Sequence, residues 1–188
     1  MKAHSHSPLD SLADELLVIR CQLGERPAFD ELIARWHRPL WRYARNMTGA
    51  DAAADDAAQE VWLRVLRGIA RLREGDKLRA WLFGIAHRVL MDRLREQYAH
   101  AQAPEAALAE QAAPDPEPDI EQELDAMLDH LARLPVIENE VLTLFYLREL
   151  SLDEVSQALA IPVGTVKSRL FRARKMLRHE LESKGVQQ

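Results

Sequence analysis

Apolar residues recur along most of this chain at intervals of three and four, the spacing that places side chains on one face of an α-helix. Leu12, Leu16, Ile19 and Leu23 follow this spacing, and Gly24 comes directly after them. They predict a first amphipathic helix whose apolar stripe faces a core and which ends at Gly24. No stretch sustains an alternation of polar and apolar residues, so the pattern predicts an all-α protein without a sheet.

Three further amphipathic helices are predicted in the first half of the chain. One apolar stripe begins at Phe29, resumes after Pro39 and closes at Thr48 and Gly49. The next helix is predicted over residues 51 to 69, and a fourth starts near Asp76, which suits a helix N-cap. The predicted buried positions of these two helices are Ala58, Val61, Trp62, Val65, Leu66 and Ile69, then Leu78, Trp81, Leu82, Ile85 and Val89.

The pattern stops at a segment rich in Ala, Pro and Glu, residues 102 to 119, whose four prolines prevent a regular helix. Two small helical domains follow from this break, over residues 10 to 99 and 120 to 184, joined by a flexible linker over 100 to 119. The net charge of -5 misleads, because residues 96 to 132 hold ten acidic residues and no Lys or Arg. The remainder of the chain is net basic.

The second domain ends in a predicted helix-turn-helix. Ser151, with Glu154 three residues on, has the signature of a capping box, and Pro162 interrupts the helix that follows. A second helix begins around Gly164 or Thr165, and from Gly164 to residue 178 it carries six Lys or Arg and no acid. One-signed charge of this kind neutralises a phosphate backbone, so the helix is predicted to contact DNA. Its inward face holds Val166, Leu170, Ala173 and Leu177, and its outward face holds Lys167, Ser168, Phe171, Arg172 and Lys175.

The first domain carries two candidate surfaces. Asp56, Gln59, Glu60 and Leu63 share an exposed side of the third helix, and by spacing alone they form either a binding patch or a solvated face. Between residues 62 and 95 nine basic residues stand against three acidic ones, with Trp81 and Phe83 among them. Basic residues with aromatic neighbours suit single-stranded nucleic acid, although Trp81 at its spacing is more typical of a core.

Four motifs, in order, resemble the extracytoplasmic-function class of bacterial sigma factors. They are DAAQEVW from Asp56, LRAWLFGIA from Leu78, DRLR from Asp92 and IPVGTVKSRLFRAR from Ile161. The resemblance spans both predicted domains and leaves the linker and tails unmatched. It implies a factor that docks on core RNA polymerase and brings it to promoter DNA, held in check by an anti-sigma protein. The family often has Asn where this chain has Arg88.

The resemblance also implies roles for individual residues. Asp56, Gln59, Glu60 and Leu63 would bind the polymerase. The minus-10 element, as melted single strand, would be bound by Arg71, Lys77, Arg79, Arg88, Arg93 and Arg95. The minus-35 element, as duplex, would be bound by Thr165, Lys167, Ser168, Phe171, Arg172 and Lys175.

Other classes of protein are disfavoured by the residues themselves. The seven histidines show no metal-ligand spacing, and there is no Gly-rich phosphate loop, so neither a metal, a cofactor nor catalysis is expected. The single cysteine, Cys21, lies in an apolar pattern and predicts a buried thiol in a reducing cytoplasm. The longest apolar runs are too short to cross a bilayer.

Two alternatives stay open at this point. One is a conventional helix-turn-helix regulator that binds duplex DNA without joining a polymerase, its first domain serving for ligand binding or dimerisation. The other is a helical adaptor whose basic surfaces bind an acidic protein. The patch of Asp56, Gln59 and Glu60 argues against the regulator, because a regulator of this kind gives these residues no role.

Overall fold

The computed structural model describes residues 8–101, 131 and 133–185, and all regular structure among them is helical. The prediction of an all-α fold is therefore confirmed over this part of the chain, while the predicted linker lies almost wholly outside it. The first half contains α1 (Pro8–Gln22), α2 (Arg26–Thr48), α3 (Asp51–Gly68) and α4 (Leu78–Ala101). The second contains α5 (Val136–Leu142), α6 (Leu152–Leu159) and α7 (Val163–Gly185).

The buried face of α1 differs from the predicted one. Leu12, Leu16, Ile19 and Leu23 are all exposed, between 48% and 74%, and the core side is formed instead by Leu17, Val18 and Cys21 together with Asp14. This helix is apolar on two opposite faces, so its own periodicity cannot tell which face packs. The buried side packs against α2, whose Arg35 donates to Asp14 at 2.7 Å, and against the loop between α3 and α4. The prediction of a buried Cys21 thiol is confirmed, and burial raises its pKa.

The remaining helices of the first half follow the sequence more closely. Pro39 lies inside α2 without ending it, since Trp36 and Leu40 on either side are buried in the core. The predicted core side of α3 is correct except for Leu66, which is 46% exposed. The start of α4 is at Leu78 rather than near Asp76, because two short 3₁₀ turns, Ile69–Arg71 and Gly75–Lys77, connect α3 to α4.

The helix-turn-helix forms as predicted. Ser151 caps α6 with a complete capping box: the Glu154 amide donates to Ser151 Oγ at 3.2 Å, and the Ser151 amide donates to Glu154 Oε2 at 2.7 Å. Ala160 ends the helix in the left-handed conformation. On α7, Val166, Leu170 and Ala173 are buried, which fixes the opposite face toward solvent.

The two halves pack directly against each other, with α4 lying along α6. The backbones approach so closely that a Cβ built on Gly84 would lie 3.2 Å from the carbonyl oxygen of Ala158. Beside this contact Glu140 of α5, only 3% exposed, accepts from Tyr43 Oη at 2.5 Å and meets His87 Nδ1 at 2.6 Å. The linker in the sequence suggests two separate domains, yet the buried residues of the two halves form one continuous core.

Candidate nucleic-acid interface

The outward face of α7 is open to solvent. Lys167, Ser168, Phe171, Arg172 and Lys175 are all exposed, while Thr165 in the first turn is half-buried. Phe171 has 66% of its surface exposed, a large apolar side chain standing among cations. A face of this composition can combine phosphate neutralisation with apolar contact to a base edge in the major groove.

Arg172 is held by an acid that the sequence analysis missed. Its guanidinium lies 3.1 Å from Glu138 Oε1, on a side chain of α5 that is only 10% exposed. A buried carboxylate of this kind fixes the direction of a long cation without covering it, because the Arg172 side chain remains 63% exposed. No signal within the α7 motif points to Glu138, which lies 34 residues earlier in the chain.

The predicted minus-10 residues divide into two groups. Arg71, Arg88 and Arg95 are exposed, although Arg95 also meets Asp92 at 3.2 Å. Lys77 and Arg79 are half-buried and already engaged within the protein. Lys77 pairs with Glu74, which raises the pKa of its ammonium. The guanidinium of Arg79 donates to the backbone carbonyl of Arg148 in the second half.

Arg93, the sixth member of this set, belongs to the acidic patch on α3. Its guanidinium donates to Glu60 Oε2 at 3.3 Å and to the backbone carbonyl of Asp56 at 3.0 Å. Glu60 also binds Arg64 at 2.6 Å, and Arg64 reaches Asp92 at 3.3 Å. Of the predicted polymerase-binding residues, Asp56, Gln59 and Leu63 are exposed and Glu60 is half-buried in this network. The patch and the basic surface are therefore joined at one edge.

The aromatic residues do not support stacking as the sequence suggested. Phe83 is 1% exposed and lies edge-to-face against Trp36 and Tyr43, with ring centroids 6.4 and 5.6 Å apart. Trp81 is partly buried against Gly68. Phe83 is therefore a core residue, because its position on α4 points toward α2 rather than along the basic surface.

The loop between α3 and α4 is tied to α1. Gln22 Nε2 donates to the backbone carbonyls of Ile69 at 3.0 Å and Leu72 at 2.7 Å. Further along, Gly75 is buried against Glu15, whose Cα would lie 2.7 Å from a Cβ at that position. Helical spacing cannot reveal these contacts, since they join residues 47 to 60 positions apart.

The junction between the halves is polar as well as close-packed. Burial and the neighbouring Glu140 raise the pKa of Tyr43 well above its ordinary value, so the phenol stays a neutral donor. Burial and the positive charge of Arg42 lower the pKa of Arg148 to about 10. Among the described residues no acceptor lies within hydrogen-bond distance of Arg148 Nε. This junction therefore contains both satisfied and unsatisfied polar groups.

Two other features are absent from the part of the chain that the structure describes. The described residues contain no group of three or more His, Cys, Asp or Glu side chains placed to hold a metal ion. Nor does any of their helices have the length and apolar character needed to cross a membrane.

A helix-turn-helix with a free basic face, joined to a helical half with an acidic patch and a second basic surface, defines a DNA-binding transcription protein. Two family models match it in order: Sigma-70 region 2 over residues 32–99 and Sigma-70 region 4 over residues 124–177. The chain therefore belongs to the sigma-70 family, and its curated relatives place it among the extracytoplasmic-function (ECF) sigma factors.

Three such relatives illustrate the match. The ECF RNA polymerase sigma factor SigM of Mycobacterium tuberculosis is 35% identical over 154 residues, covering 82% of this chain and 77% of the relative. SigW of Bacillus subtilis is 29% identical, covering 84% and 91%. The ECF sigma-E factor of Haemophilus influenzae is 30% identical, covering 92% and 97%.

Solved structures share the fold. CnrH, solved with the cytosolic domain of CnrY, superposes with a TM-score of 0.70 at 24% identity, covering 91% of this chain and 98% of that one. The sigma factor RpoE of Bartonella quintana, solved with the anti-sigma factor NepR, gives a TM-score of 0.72 at 22% identity, covering 82% and 96%. The resemblance inferred from the motifs is confirmed.

Proposed function

We propose that this chain binds core RNA polymerase and directs it to promoters, with residues 10–99 acting at the minus-10 element and residues 120–184 at the minus-35 element. The observation that carries the proposal is the ordered match of region 2 and region 4 to two halves that each present a basic surface. Neither a regulator without a polymerase nor an acidic-protein adaptor accounts for both matches.

The polymerase is bound through Asp56, Gln59, Glu60 and Leu63. Three of these side chains are exposed, and the fourth, Glu60, is steadied by Arg64 and Arg93. An exposed leucine beside carboxylates suits an interface in which an apolar contact is surrounded by ion pairs. The surface is complementary to a basic partner with an apolar ridge.

Promoter melting is assigned to the loop and helix that carry Arg71, Lys77, Arg79, Arg88, Arg93 and Arg95. Capture of an unstacked base costs a few kcal/mol, which phosphate contacts and stacking offset. Because Phe83 is buried, the contribution of this chain rests on the cations and on the backbone of the loop. Arg88, in place of the Asn frequent in the family, adds a charge at this surface.

Duplex recognition is assigned to α7. Lys167, Arg172 and Lys175 reach the phosphates and base edges, Thr165 and Ser168 lie near the helix N-terminus, and Phe171 supplies an apolar contact. Helix-turn-helix proteins insert the second helix into the major groove by its N-terminal residues, which is where this set is concentrated. One good base contact is worth roughly 1 to 3 kcal/mol.

The phosphodiester chemistry belongs to the polymerase, and this chain acts as an initiation factor rather than an enzyme. Its work is placed in the cytoplasm, where promoters and polymerase meet. Of the structures with this fold, CnrH was solved with the cytosolic domain of CnrY and RpoE with the anti-sigma factor NepR. We extend this to the present chain and expect control by an anti-sigma protein.

Reconstitution tests the proposal. Purified core polymerase is mixed with this chain and a library of promoter sequences, and transcripts are mapped to their start sites. Initiation from a subset of sequences that share two elements is the expected result, with none when either core or chain is omitted. Sequence-selective binding of duplex DNA without initiation on any sequence would favour the regulator instead.

A further inference from the structure

We propose that α1 is part of the minus-10 site, with Gln22 as a positioning residue that holds the loop between α3 and α4. The inference rests on the proposed function of that loop. The region 2 family model begins at residue 32, so α1 lies ahead of the part of the chain to which the match assigns a role.

Gln22 joins the two ends of the first 3₁₀ turn in the loop between α3 and α4. Its Nε2 group carries two hydrogens, and each is directed at a backbone carbonyl, Ile69 at 3.0 Å and Leu72 at 2.7 Å. These carbonyls bracket Arg71, which is exposed. The Ile69 carbonyl also accepts from the Leu72 amide at 3.1 Å within the turn, so the Gln22 amide ties an already formed turn to α1 and fixes the direction in which the loop presents Arg71.

A second contact holds the far end of the loop. Gly75 is buried against the backbone of Glu15, one to two turns before Gln22 on the same helix, at a distance that leaves no room for a side chain. The loop is therefore attached to α1 at both of its 3₁₀ turns. Between the attachments Arg73 and Glu74 are exposed, so the anchored backbone still offers a free edge.

This arrangement has a consequence for base selection. A loop that must receive an unstacked base gains specificity when its backbone is fixed beforehand, because less conformational freedom is lost on binding. Since Gln22 and Glu15 of α1 contact the backbone of the loop, α1 acts through the loop. Loss of the Gln22 amide should weaken discrimination among minus-10 sequences more than it weakens any other step.

The test uses the full chain with Gln22→Met, which keeps length and removes both donors. Gln157→Met, which makes the same change at an exposed glutamine on α6, is the matched control. Holoenzyme is assembled on a promoter selected with the wild-type chain and on derivatives with single changes in the minus-10 element. Permanganate reactivity then measures opening. Gln22→Met should reduce the preference for the selected sequence roughly five- to tenfold, with core binding and minus-35 duplex binding unchanged.

A second measurement does not depend on the polymerase. Limited trypsin digestion of the free chain should cut after Arg71 or Arg73 about tenfold faster in Gln22→Met than in the wild type, with unchanged cutting at Arg178. Faster cutting with an unchanged minus-10 preference would overturn the positioning role and leave the proposed function standing. Unchanged cutting would overturn the anchor itself. A wild-type chain that opens no promoter would sink the proposed function and this role with it, whatever the digestion showed.

Discussion

The two candidate DNA surfaces of this sigma factor are built in different ways. The upstream surface, proposed to bind the minus-35 element, is one face of α7. It is continuous in sequence, and its side chains are free of the rest of the protein except at Arg172. The downstream surface, proposed to bind the minus-10 element, draws on a loop, on α4 and on α1. Four of its six cations are engaged with protein groups. A surface that binds intact duplex can have its final conformation before DNA binds. One that captures melted strand is coupled to its neighbours, and its contacts have to change when DNA and polymerase arrive.

The largest effect that would sharpen this comparison is expected at the acidic patch. Asp56→Lys reverses the charge of an exposed carboxylate at the proposed polymerase interface, and a central interface charge is worth roughly 2 to 4 kcal/mol. Core affinity should fall by more than tenfold while binding to minus-35 duplex stays the same. Titration of core with labelled chain measures the first and anisotropy with duplex the second.

Asp30→Lys on α2 is the control, since it makes the same charge change at an exposed position away from the patch. Equal loss of polymerase and duplex binding in Asp56→Lys would contradict the independence of the upstream surface.

At the upstream surface itself, Phe171→Ala and Arg172→Ala should each weaken minus-35 duplex binding by about tenfold, corresponding to roughly 1 to 3 kcal/mol for one good contact. Core association should be retained, because neither side chain lies near α3. A pull-down with core polymerase reports the latter. Loss of core binding in these variants would mean that α7 serves the polymerase as well, and the two surfaces would no longer be separable.

A third prediction concerns the contact between the two halves. Glu140→Gln removes the negative charge of a buried carboxylate that both Tyr43 and His87 contact. The free energy of unfolding should drop by about 1 to 2 kcal/mol. Urea titration gives the value. Glu149→Gln, at an exposed carboxylate of the same segment, should leave it within a few tenths. Equal stability of both variants would show that the junction adds little to holding the halves together.

The smallest effect is expected on the downstream surface. It distinguishes cations that bind protein groups from cations that are exposed. Arg88→Ala should reduce promoter opening a few-fold without altering core affinity, because Arg88 is exposed. Arg93→Ala should reduce both a few-fold, since Arg93 supports Glu60 and the Asp56 carbonyl. Permanganate footprints and core titrations on the pair give the comparison. Identical profiles for the two variants would remove the distinction between coupled and free residues.

These differences also explain what the sequence could predict. The capping box at Ser151, the break at Pro162 and the free face of α7 all depend on contacts within a few residues, and each was predicted correctly. The exposed stripe of α1 and the burial of Phe83 depend on which helix packs where, and both were predicted wrongly. Periodicity gives the angle between faces of one helix, whereas the neighbour that covers a face is decided by the whole fold.

The downstream site shows the same limit. Its residue set followed from motifs, yet Gln22 supports its loop across 47 and 50 positions, as Glu138 supports Arg172 of the upstream surface across 34. Such pairs leave no periodic signal in a single sequence. Family motifs therefore predicted the surfaces, and the structure was needed to show which contacts support each predicted surface.

A combined footprint of this chain with core polymerase on a selected promoter tests the account most directly. Nuclease protection should cover two separate elements in one complex, with permanganate-reactive thymines confined to the downstream element, and both features should depend on core. Protection of a single element that is the same with and without core, and no reactive thymine, would contradict the account.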